Sequence, residues 1–450
     1  MHTSLYENLY RKIALDIRTG RLEPDSKLPS IRGYAEEHAI SKNTVINAYN
    51  LLLSEGYIYS KEKSGFYVSK METGLYAEAK QNRIETEIKD KISEPILDLS
   101  SNLVDSTNFP YSTLRQLYRE ALSKTSISLL DQAGDLFGEK DLRKSIADFV
   151  YTHKGINCTY EQVVIGNGTA YHLNKIAVMF DQKGTFLMEE PTFQSTLQII
   201  KDTGINIIQI KQDKEGINLA ELKKSGEVHT GIQFLHISPS HQFPMGTTMS
   251  APRRSSVLSW AYSADQRYII EDDYDSDFRY IGHPIPSLQS MDTRERVIYV
   301  GTFSRTLTPA LRISYMILPK QLVTRYEERF YYYQCPVSRI DQRVLSLFID
   351  QGYFVRHINR MRRLYKSKRD YMLSLIKNKL PGVRTEGENA GLHFILRANK
   401  GENELIREAN KLGLFLRGTG NGWIIIGYAH LTVDEMDKAV GILEQIISSK

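Results

Sequence analysis

Short apolar segments alternate with helix-length segments between residues 161 and 300, and this pattern constrains the fold more than any other feature of the chain. Strands that alternate with helices predict an α/β domain with a mainly parallel sheet, because parallel neighbours need long crossover connections. The predicted strands are Glu161 to Ile165, Thr185 to Met188, Ile205 to Ile210, Ile232 to Ile237, Tyr268 to Glu271 and Val297 to Val300. Ligands of such sheets bind at the carboxyl ends of the strands, so we expect a site where these segments end.

The composition is that of a globular protein. The 450 residues are 41% hydrophobic and 25% charged, which suffices for two or three domains with sizeable cores. No apolar run approaches the roughly 18 residues of a membrane span, and the first residues lack the layout of a signal peptide, so we expect a cytoplasmic protein with no membrane partner. The two cysteines, Cys158 and Cys335, fit a reducing compartment as packing residues, and no Cys/His spacing indicates a metal site.

The first 70 residues predict a small helical domain with a hairpin. Apolar residues recur at every fourth position from Leu5 to Ile17, which predicts an amphipathic helix. Ser30 is a candidate N-cap of a second helix, and S-K-N-T at 41–44 opens a third. The segments 56–59 and 65–68 alternate as two strands of a hairpin. Together these elements predict a winged helix-turn-helix.

The third helix carries amides beside a cation on the face opposite its apolar residues. Such side chains can read base edges and phosphates in a major groove, and the hairpin residues Lys61 and Lys63 can lie along the DNA backbone. The polar face comprises Lys42, Asn43, Ile46, Asn47 and Asn50, and the inner face Val45, Ala48 and Leu52. This arrangement indicates binding to double-stranded DNA.

The same domain resembles the GntR family of bacterial regulators in three motifs. These are L-P-S-x-R at 28–32, S-K-N-T-V at 41–45, and E-G-Y-I followed by K-S-G-F-Y-V within 55–68. The resemblance implies that Gly65 shapes the wing tip and that the DNA-facing residues are Ser30, Arg32, Lys42, Asn43, Thr44 and Asn47. Two alternatives stay open: Ser30 only caps its helix, and Lys61 and Lys63 are solvated surface charges.

Motifs of the large domain lie at the predicted strand ends. G-N-G-T-A at 166–170 follows a strand and opens a helix, so its backbone N–H groups and the Thr169 hydroxyl can hold a phosphate at the positive end of that helix. E-D-D-Y at 271–274 brings carboxylates and a phenol to a second strand end. The hydroxyl-rich turn from Gly301 to Arg305 follows a third and suits an anion.

The stretch V-G-T-F-S-R-T-L-T-P-A-L-R at 300–312 resembles the cofactor-lysine segment of fold-type I pyridoxal phosphate (PLP) enzymes, in the form carried by MocR/GabR-type regulators. Further shared motifs are G-D-L-F-G-x-x-x-L-R at 134–143, E-E-P-T-F at 189–193, S-P-S-H-Q-F-P-M-G at 238–246, E-D-D-Y-D at 271–275 and A-G-L-H-F at 390–394. The resemblance spans residues 98–450. It implies a fold-type I domain whose larger part is α/β and whose smaller part, from about 340 to 450, is α+β.

This resemblance implies the contacts of PLP residue by residue. Asp272 would face the pyridine nitrogen, Tyr274 the ring hydroxyl, and Phe193 would stack on the ring. His241 and Gln242 would lie beside the ring. The phosphate would be held by Gly168, Thr169, Ala170, Thr302, Ser304 and Arg312.

The chain departs from the family pattern at three reactive positions. Arg305 occupies the place of the lysine that forms a Schiff base with PLP, and a guanidinium stays protonated and is not expected to make that bond. Ser195 and His430 stand where the γ-aminobutyrate-binding relative has carboxylate-binding arginines, so we expect an effector of a different kind at these two residues. The alternatives are that Asp272 is satisfied by backbone, that Arg305 is a structural ion-pair partner and that His430 is a packed strand residue.

We therefore expect a homodimeric transcription regulator with no catalytic residue, whose PLP, where it binds, is held without a covalent bond. Residues 1–70 would bind operator DNA, 71–97 would be a linker, and 98–450 would bind the effector and dimerise. Two other hypotheses stay open: a PLP-dependent enzyme of aminotransferase type, and a regulator that has lost PLP and binds another ligand.

Overall fold

The chain divides into two compact units, Met1–Ile92 and Ser93–Lys450. The computed structural model describes residues 4–70, 97–99, 103–123, 131–180, 184–228, 231–282 and 286–448. Apart from Leu97, the predicted linker at 71–97 lies outside the described residues. None of the helices within these ranges is long and apolar enough to cross a membrane.

The first unit is a winged helix-turn-helix, which confirms the prediction. Its elements are α1 (Leu5–Arg18), α2 (Ile31–Glu37), α3 (Lys42–Ser54), β1 (Ile58–Lys61) and β2 (Gly65–Val68), and the two strands pair antiparallel. Serines begin two of the helices: the Ser30 hydroxyl accepts from the N–H of Gly33 at 3.0 Å, and the Ser41 hydroxyl accepts from the N–H of Thr44 at 3.1 Å. These caps satisfy N–H groups that have no partner inside the helix.

Tyr49 lies at the centre of the first unit. Its side chain is fully buried in α3, its hydroxyl donates to the carbonyl of Pro29 at 3.0 Å, and its ring contacts the edge of Phe66 in the wing at 5.2 Å. The predicted inner face of α3, Val45, Ala48 and Leu52, is fully buried around it. One residue thus joins the third helix to the turn before α2 and to the wing.

The second unit is built on an eight-stranded sheet. After a short strand β3 (Leu97–Asp98), the sheet strands are β4 (Val163–Gly166), β5 (Thr185–Glu190), β6 (Asn206–Asp213), β7 (Gly216–Ile217), β8 (Gln233–Ile237), β9 (Arg267–Asp273), β10 (Val297–Thr302) and β11 (Ser314–Ile317). Their order is β4-β11-β10-β9-β8-β5-β6-β7, with β10, β9, β8, β5 and β6 pairing in parallel. The predicted α/β fold is confirmed.

Helices pack against the large sheet and against a smaller sheet that follows it in the chain. The helices are α4 (Tyr111–Ala121), α5 (Lys140–Lys154), α6 (Thr169–Met179), α7 (Gln194–Asp202), α8 (Leu219–Val228), α9 (Ala251–Tyr262), α10 (Leu288–Met291), α11 (Lys320–Phe330), α12 (Arg339–Asp350), α13 (Tyr353–Lys379), α14 (Glu402–Lys411) and α15 (Val433–Ser448). The smaller sheet has the order β12-β13-β16-β15, formed by β12 (Arg384–Glu386), β13 (His393–Arg397), β15 (Arg417–Gly418) and β16 (Ile424–Gly427), while β14 (Leu414–Phe415) pairs with β3. Cys158 and Cys335 are free thiols packed against the core.

Two details of the large sheet differ from the sequence-based expectation. Tyr160–Gln162 forms a 3-10 turn, so the first strand of this sheet begins at Val163 instead of Glu161. Strand β11 was not expected and pairs antiparallel with both β10 and β4. It places Ser314 opposite both Thr302 and Gly166, so two strand ends of the expected site meet across β11.

Candidate ligand pocket and nucleic-acid interface

The loop before α6 forms an anion cradle that closes on Arg312. Gly168, with a φ of 121°, is the N-cap of α6, and a Cβ atom at this position would come within 2.7 Å of Arg312 Nη2. Arg312 Nη2 donates to the carbonyl of Asn167 at 3.3 Å. The structure thus brings together the predicted phosphate residues of the loop and the arginine that lies about 145 positions later.

Ser314 fixes this cradle from below. Its buried hydroxyl accepts from the N–H of Gly168 at 2.8 Å and donates to the carbonyl of Gly166 at 3.0 Å. His172 Nε2 lies 2.9 Å from the same hydroxyl, and burial lowers the pKa of His172 to about 3. On the neighbouring strand end, the Thr302 hydroxyl accepts from the N–H of Ser304 at 3.1 Å, which shapes the turn of β10.

Asp272 and Tyr274 lie at the end of β9 and are both buried. Asp272 Oδ2 is 3.4 Å from His236 Nε2, and Asp272 Oδ1 has no hydrogen-bond partner among the described residues. The Tyr274 hydroxyl is 3.1 Å from His241 Nδ1. Burial and the charge of Asp275 raise the pKa of Tyr274 well above its ordinary value, so the phenol stays protonated.

Arg305 lies within this group of acidic and phenolic side chains. Burial lowers the pKa of its guanidinium, and Asp275, Tyr274 and Asp272 oppose that shift. Its charge in turn lowers the pKa of Tyr274. Arg305, for which the resemblance predicts the position of the cofactor lysine, therefore lies on the predicted ring-binding side of the pocket, beside anionic and phenolic groups.

Aromatic side chains form one wall of the pocket. Phe193 stacks face to face on Phe243 with ring centroids 3.6 Å apart, and the edge of Tyr274 contacts Phe193 at 5.2 Å. Gln242 is buried behind them, where its amide donates to the carbonyl of Pro191 at 2.8 Å. One face of Phe193 is thus covered by Phe243, a neighbour that the sequence did not assign.

Two further buried residues complete this region and were quoted only as parts of motifs. These residues are Asp275 and His393. Asp275 Oδ2 lies 3.0 Å from His241 Nδ1, and the ring centroids of His393 and His241 are 4.9 Å apart. One nitrogen or oxygen atom from each of His241, Asp275 and His393 lies within 4.8 Å of the other two, a spacing that a metal ion could bridge. The charge of Arg305 acts on both Asp275 and His393, however, and disfavours a second cation at this place.

The two predicted effector residues lie apart from these contacts. Ser195 is exposed in the first turn of α7, two positions after Phe193. His430 is half-buried; burial lowers its pKa, and the neighbouring Asp98 and Glu435 oppose that shift. Their role as effector contacts stays a prediction.

The pocket fits PLP in two respects. The orphaned Oδ1 of buried Asp272 is an acceptor suited to a protonated pyridine nitrogen. At Gly168, the φ of 121° and the close approach of Arg312 Nη2 disfavour a side chain and leave the loop backbone beside the guanidinium, as an anion site requires.

Most of the predicted DNA-facing residues are exposed on α2, α3 and the wing. Lys42, Asn43 and Asn47 are exposed on α3, and the half-buried Thr44 lies 2.8 Å from the Ser41 hydroxyl through its own Oγ1. Arg32 is exposed on α2, where its Nε donates to Glu36 Oε1 at 2.8 Å. This ion pair was not predicted, and it holds the guanidinium over the surface of α2.

The backbone at the wing tip adopts positive φ angles, as expected for a turn that Gly65 shapes. Gly65 has a φ of 112°, and Lys63 has a φ of 59°, so the turn uses the left-handed region twice. Lys61 Nζ lies 4.5 Å from the ring centre of Tyr67, a cation–π contact that extends the lysine along the hairpin.

Comparison with known proteins matches each unit to a protein family. Residues 5–68 match the bacterial regulatory proteins of the gntR family, and residues 94–443 match the aminotransferase class I and II family. An uncharacterized HTH-type transcriptional regulator, YdeL of Bacillus subtilis, is 38% identical over 91% of this chain and 88% of its own length. The probable rhizopine catabolism regulatory protein MocR of Rhizobium meliloti is 28% identical over 98% of this chain and 93% of its own length.

A solved structure supports the fold of the second unit. The kynurenine aminotransferase of Pyrococcus horikoshii, in a complex with PMP, has a TM-score of 0.70 and 24% sequence identity. The similarity covers 88% of this chain and 97% of the aminotransferase. At this level of identity the similarity concerns the fold alone.

Proposed function

Since this chain belongs to the MocR/GabR type of GntR transcription regulators, we propose that it is a homodimeric operator-binding protein that holds PLP without a covalent bond. The GntR head implies DNA binding, and the aminotransferase fold implies a PLP site. The dimer, the non-covalent state and the effector are the parts that this proposal adds.

The pocket residues divide the binding of PLP among them. The cradle at Gly168 and the Arg312 guanidinium would hold the phosphate, Asp272 would accept from the pyridine nitrogen, and the Tyr274 phenol would donate to the ring hydroxyl. PLP supplies an aldehyde and an electron-withdrawing ring when it is bound. Residue 305 makes none of these contacts itself, although its charge acts on Asp272 and Tyr274.

Arg305 is the observation that carries the proposal. Its guanidinium offers hydrogen bonds to an anionic oxygen, but no amine that could attach to the aldehyde. We therefore infer reversible binding and no transamination, with Ser195 and His430 available to a separate effector. The competing hypothesis of an aminotransferase requires an amine at this position.

Arg305→Lys provides the test. We expect the unmodified protein to take up PLP with the spectrum of the free aldehyde and to retain none after borohydride treatment and denaturation. The Arg305→Lys protein should shift the visible absorption and retain PLP at position 305, because the other contacts are unchanged. Arg384→Lys on the exposed strand β12 is the matched control and should behave like the unmodified protein.

Two outcomes contradict the proposal. Turnover of an amino acid by the unmodified protein, or borohydride trapping of PLP on one of its own lysines, would favour the enzyme. If neither the unmodified protein nor the Arg305→Lys protein binds PLP, a regulator that has lost the cofactor is favoured.

A further inference from the structure

A cavity of about 600 Å³ lies beside strand β9, apart from the pocket described above. Asp273 lines this cavity, whereas the preceding Asp272 faces the PLP pocket, because successive side chains of a strand point to opposite faces. No residue that we assign to PLP contributes to its lining. The cavity is therefore a separate feature of the second unit.

Positive charge exceeds negative charge in the cavity wall. Its ionised side chains are Lys154, Arg254, Arg279, Arg362, Asp273 and Asp277. Both carboxylates are used by Lys154, whose Nζ lies 2.8 Å from Asp273 and 3.3 Å from Asp277. Four cations thus face two carboxylates in the wall, an excess of two positive charges.

Arg254 has one carboxylate partner in the described part of the chain, Glu271, and none is described for Arg279 or Arg362. Arg254 is fully buried and donates to the carbonyls of Met249, Pro286 and Pro239, with Glu271 at 3.9 Å. Arg362 Nε donates to the carbonyl of Asp277 at 2.8 Å, and its Nη1 donates to Asn359 Oδ1 at 3.2 Å. Arg362 is thus held by neutral groups, and Arg254 by three carbonyls and the more distant Glu271.

Arg279 is the least satisfied of the three. Its Nε is buried and has no hydrogen-bond partner among the described residues. Burial lowers the pKa of Arg254, and the charge of Arg279 lowers it further, so the two guanidinium groups are close enough to repel each other. Arg279 is half-buried, and a partly buried guanidinium without a carboxylate partner, beside a second cation, favours an anion between the two.

The backbone holds Arg279 firmly at the cavity. Tyr280 N–H donates to the carbonyl of Asn389 at 3.0 Å, and Gly391 N–H donates to the carbonyl of Phe278 at 2.8 Å. The opposite wall is a helical stripe of α13 that includes Val355 and Ile358. The cavity therefore joins a fixed guanidinium to an apolar surface.

We propose that this cavity binds a small organic oxyanion, a carboxylate or a phosphate monoester with an apolar group, whose charged end is held by Arg279 and Arg254. The apolar group would lie against Val355 and Ile358. Such a ligand would be a second small molecule of this protein, bound independently of PLP.

Calorimetric titration of the full-length protein with benzoate and phenyl phosphate tests the proposal, with benzamide as the uncharged counterpart of benzoate. We expect benzoate or phenyl phosphate to bind and benzamide not to bind, and the better of the two identifies the head group. Arg279→Gln should weaken binding by at least about tenfold, because a charge-assisted hydrogen bond is lost. Arg384→Gln, exposed on β12, should leave it unchanged.

A second variant keeps the test decisive if Arg279→Gln does not fold. Val355→Trp fills the apolar end of the cavity without changing a charge and should also abolish binding. The proposal is overturned if neither anion binds the unmodified protein up to about 10 mM, a binding free energy of only about 3 kcal/mol, or if both variants bind normally. A change of oligomeric mass in Arg279→Gln also overturns the proposal. It would mean that Arg279 pairs with an acidic group of a second copy of the chain instead of a small ligand. Unchanged PLP spectra in both variants would separate this site from the PLP pocket.

Discussion

Glu189 is a buried carboxyl group at the end of β5, close to the PLP pocket. Its Oε2 accepts from the N–H of Ser238 at 3.1 Å, and its Oε1 has no hydrogen-bond partner in the ranges that the structure describes. Burial raises the pKa of Glu189 to about 7 from an ordinary value of 4.5, and the charge of Asp272 contributes to the rise. Between these pH values the folded protein binds more protons at Glu189 than the unfolded chain does.

The pKa of Glu189 predicts a pH dependence of stability. Its contribution to the free energy of unfolding falls as the pH rises from about 4.5 to about 7, by on the order of 2–3 kcal/mol. Glu189→Gln keeps an oxygen for Ser238 and removes this titration. We therefore expect the stability of the variant, measured by chemical denaturation, to rise relative to the unmodified protein between pH 5 and pH 8.

The adjacent and exposed Glu190 supplies the control. Glu190→Gln should show a stability difference that does not change with pH over this range. A constant difference for Glu189→Gln as well would mean that the buried carboxyl is not protonated in the folded protein.

At the scale of single elements, local signals predicted the helices of the head better than the strands of the sheet. Ser30 and Ser41 begin their helices as expected, because a cap depends on neighbours within three residues. Strand β11 depends on partners far away in the sequence, since Ser314 pairs with Gly166, and no local pattern identifies such a partner. Glu161 was assigned to a strand, although it lies in the turn that ends at Gln162.

Helix α3 and the wing should contribute differently to DNA binding. If Asn43 reads a base edge, Asn43→Ala should lower the affinity for the operator by about 1–3 kcal/mol and leave binding to random duplex nearly unchanged. If Lys63 contacts a phosphate, its removal should weaken binding to operator and to random duplex alike. The slope of log affinity against log salt concentration should then become shallower by about one. Lys63→Asn suits this test, because asparagine tolerates the φ of 59°.

Fluorescence anisotropy with operator and random duplex at several salt concentrations measures both effects. Asn206→Ala, an exposed asparagine of the second unit, is the control for a general effect of losing an amide. Equal losses on the two duplexes for Asn43→Ala would show that α3 does not read sequence.

At the scale of the whole chain, the motifs named most of the side chains that meet at the candidate pocket, but not all of them. The family resemblance brought the loop at Gly168, Asp272 and Arg312 into one expectation, which agrees with strand ends that lie at one edge of a parallel sheet. Asp275 follows β9 and His241 follows the neighbouring strand β8, whereas His393 comes from the smaller sheet and meets His241 only through tertiary packing. The face-to-face contact of Phe243 on Phe193 likewise depends on tertiary structure.

The first unit has a core of its own, which predicts that it folds alone. The buried cluster of the head contains only residues between Leu9 and Val68. A fragment of residues 1–70 should therefore unfold cooperatively, with a free energy of unfolding of no more than about 3–5 kcal/mol for a domain of this size. Circular dichroism during thermal and urea unfolding measures this.

The same fragment tests whether the full chain acts as a dimer on DNA. If two heads are joined through the second units, binding of the second head to an operator with two half-sites becomes intramolecular, and the full chain should bind about 10²–10⁴ times more tightly than the fragment. On an operator with one half-site, the full chain and the fragment should bind with similar affinity, because only one head contacts the DNA. Equal affinities on the two-site operator would contradict the homodimer, provided that the fragment is folded, and sedimentation of the full chain would then show a single copy.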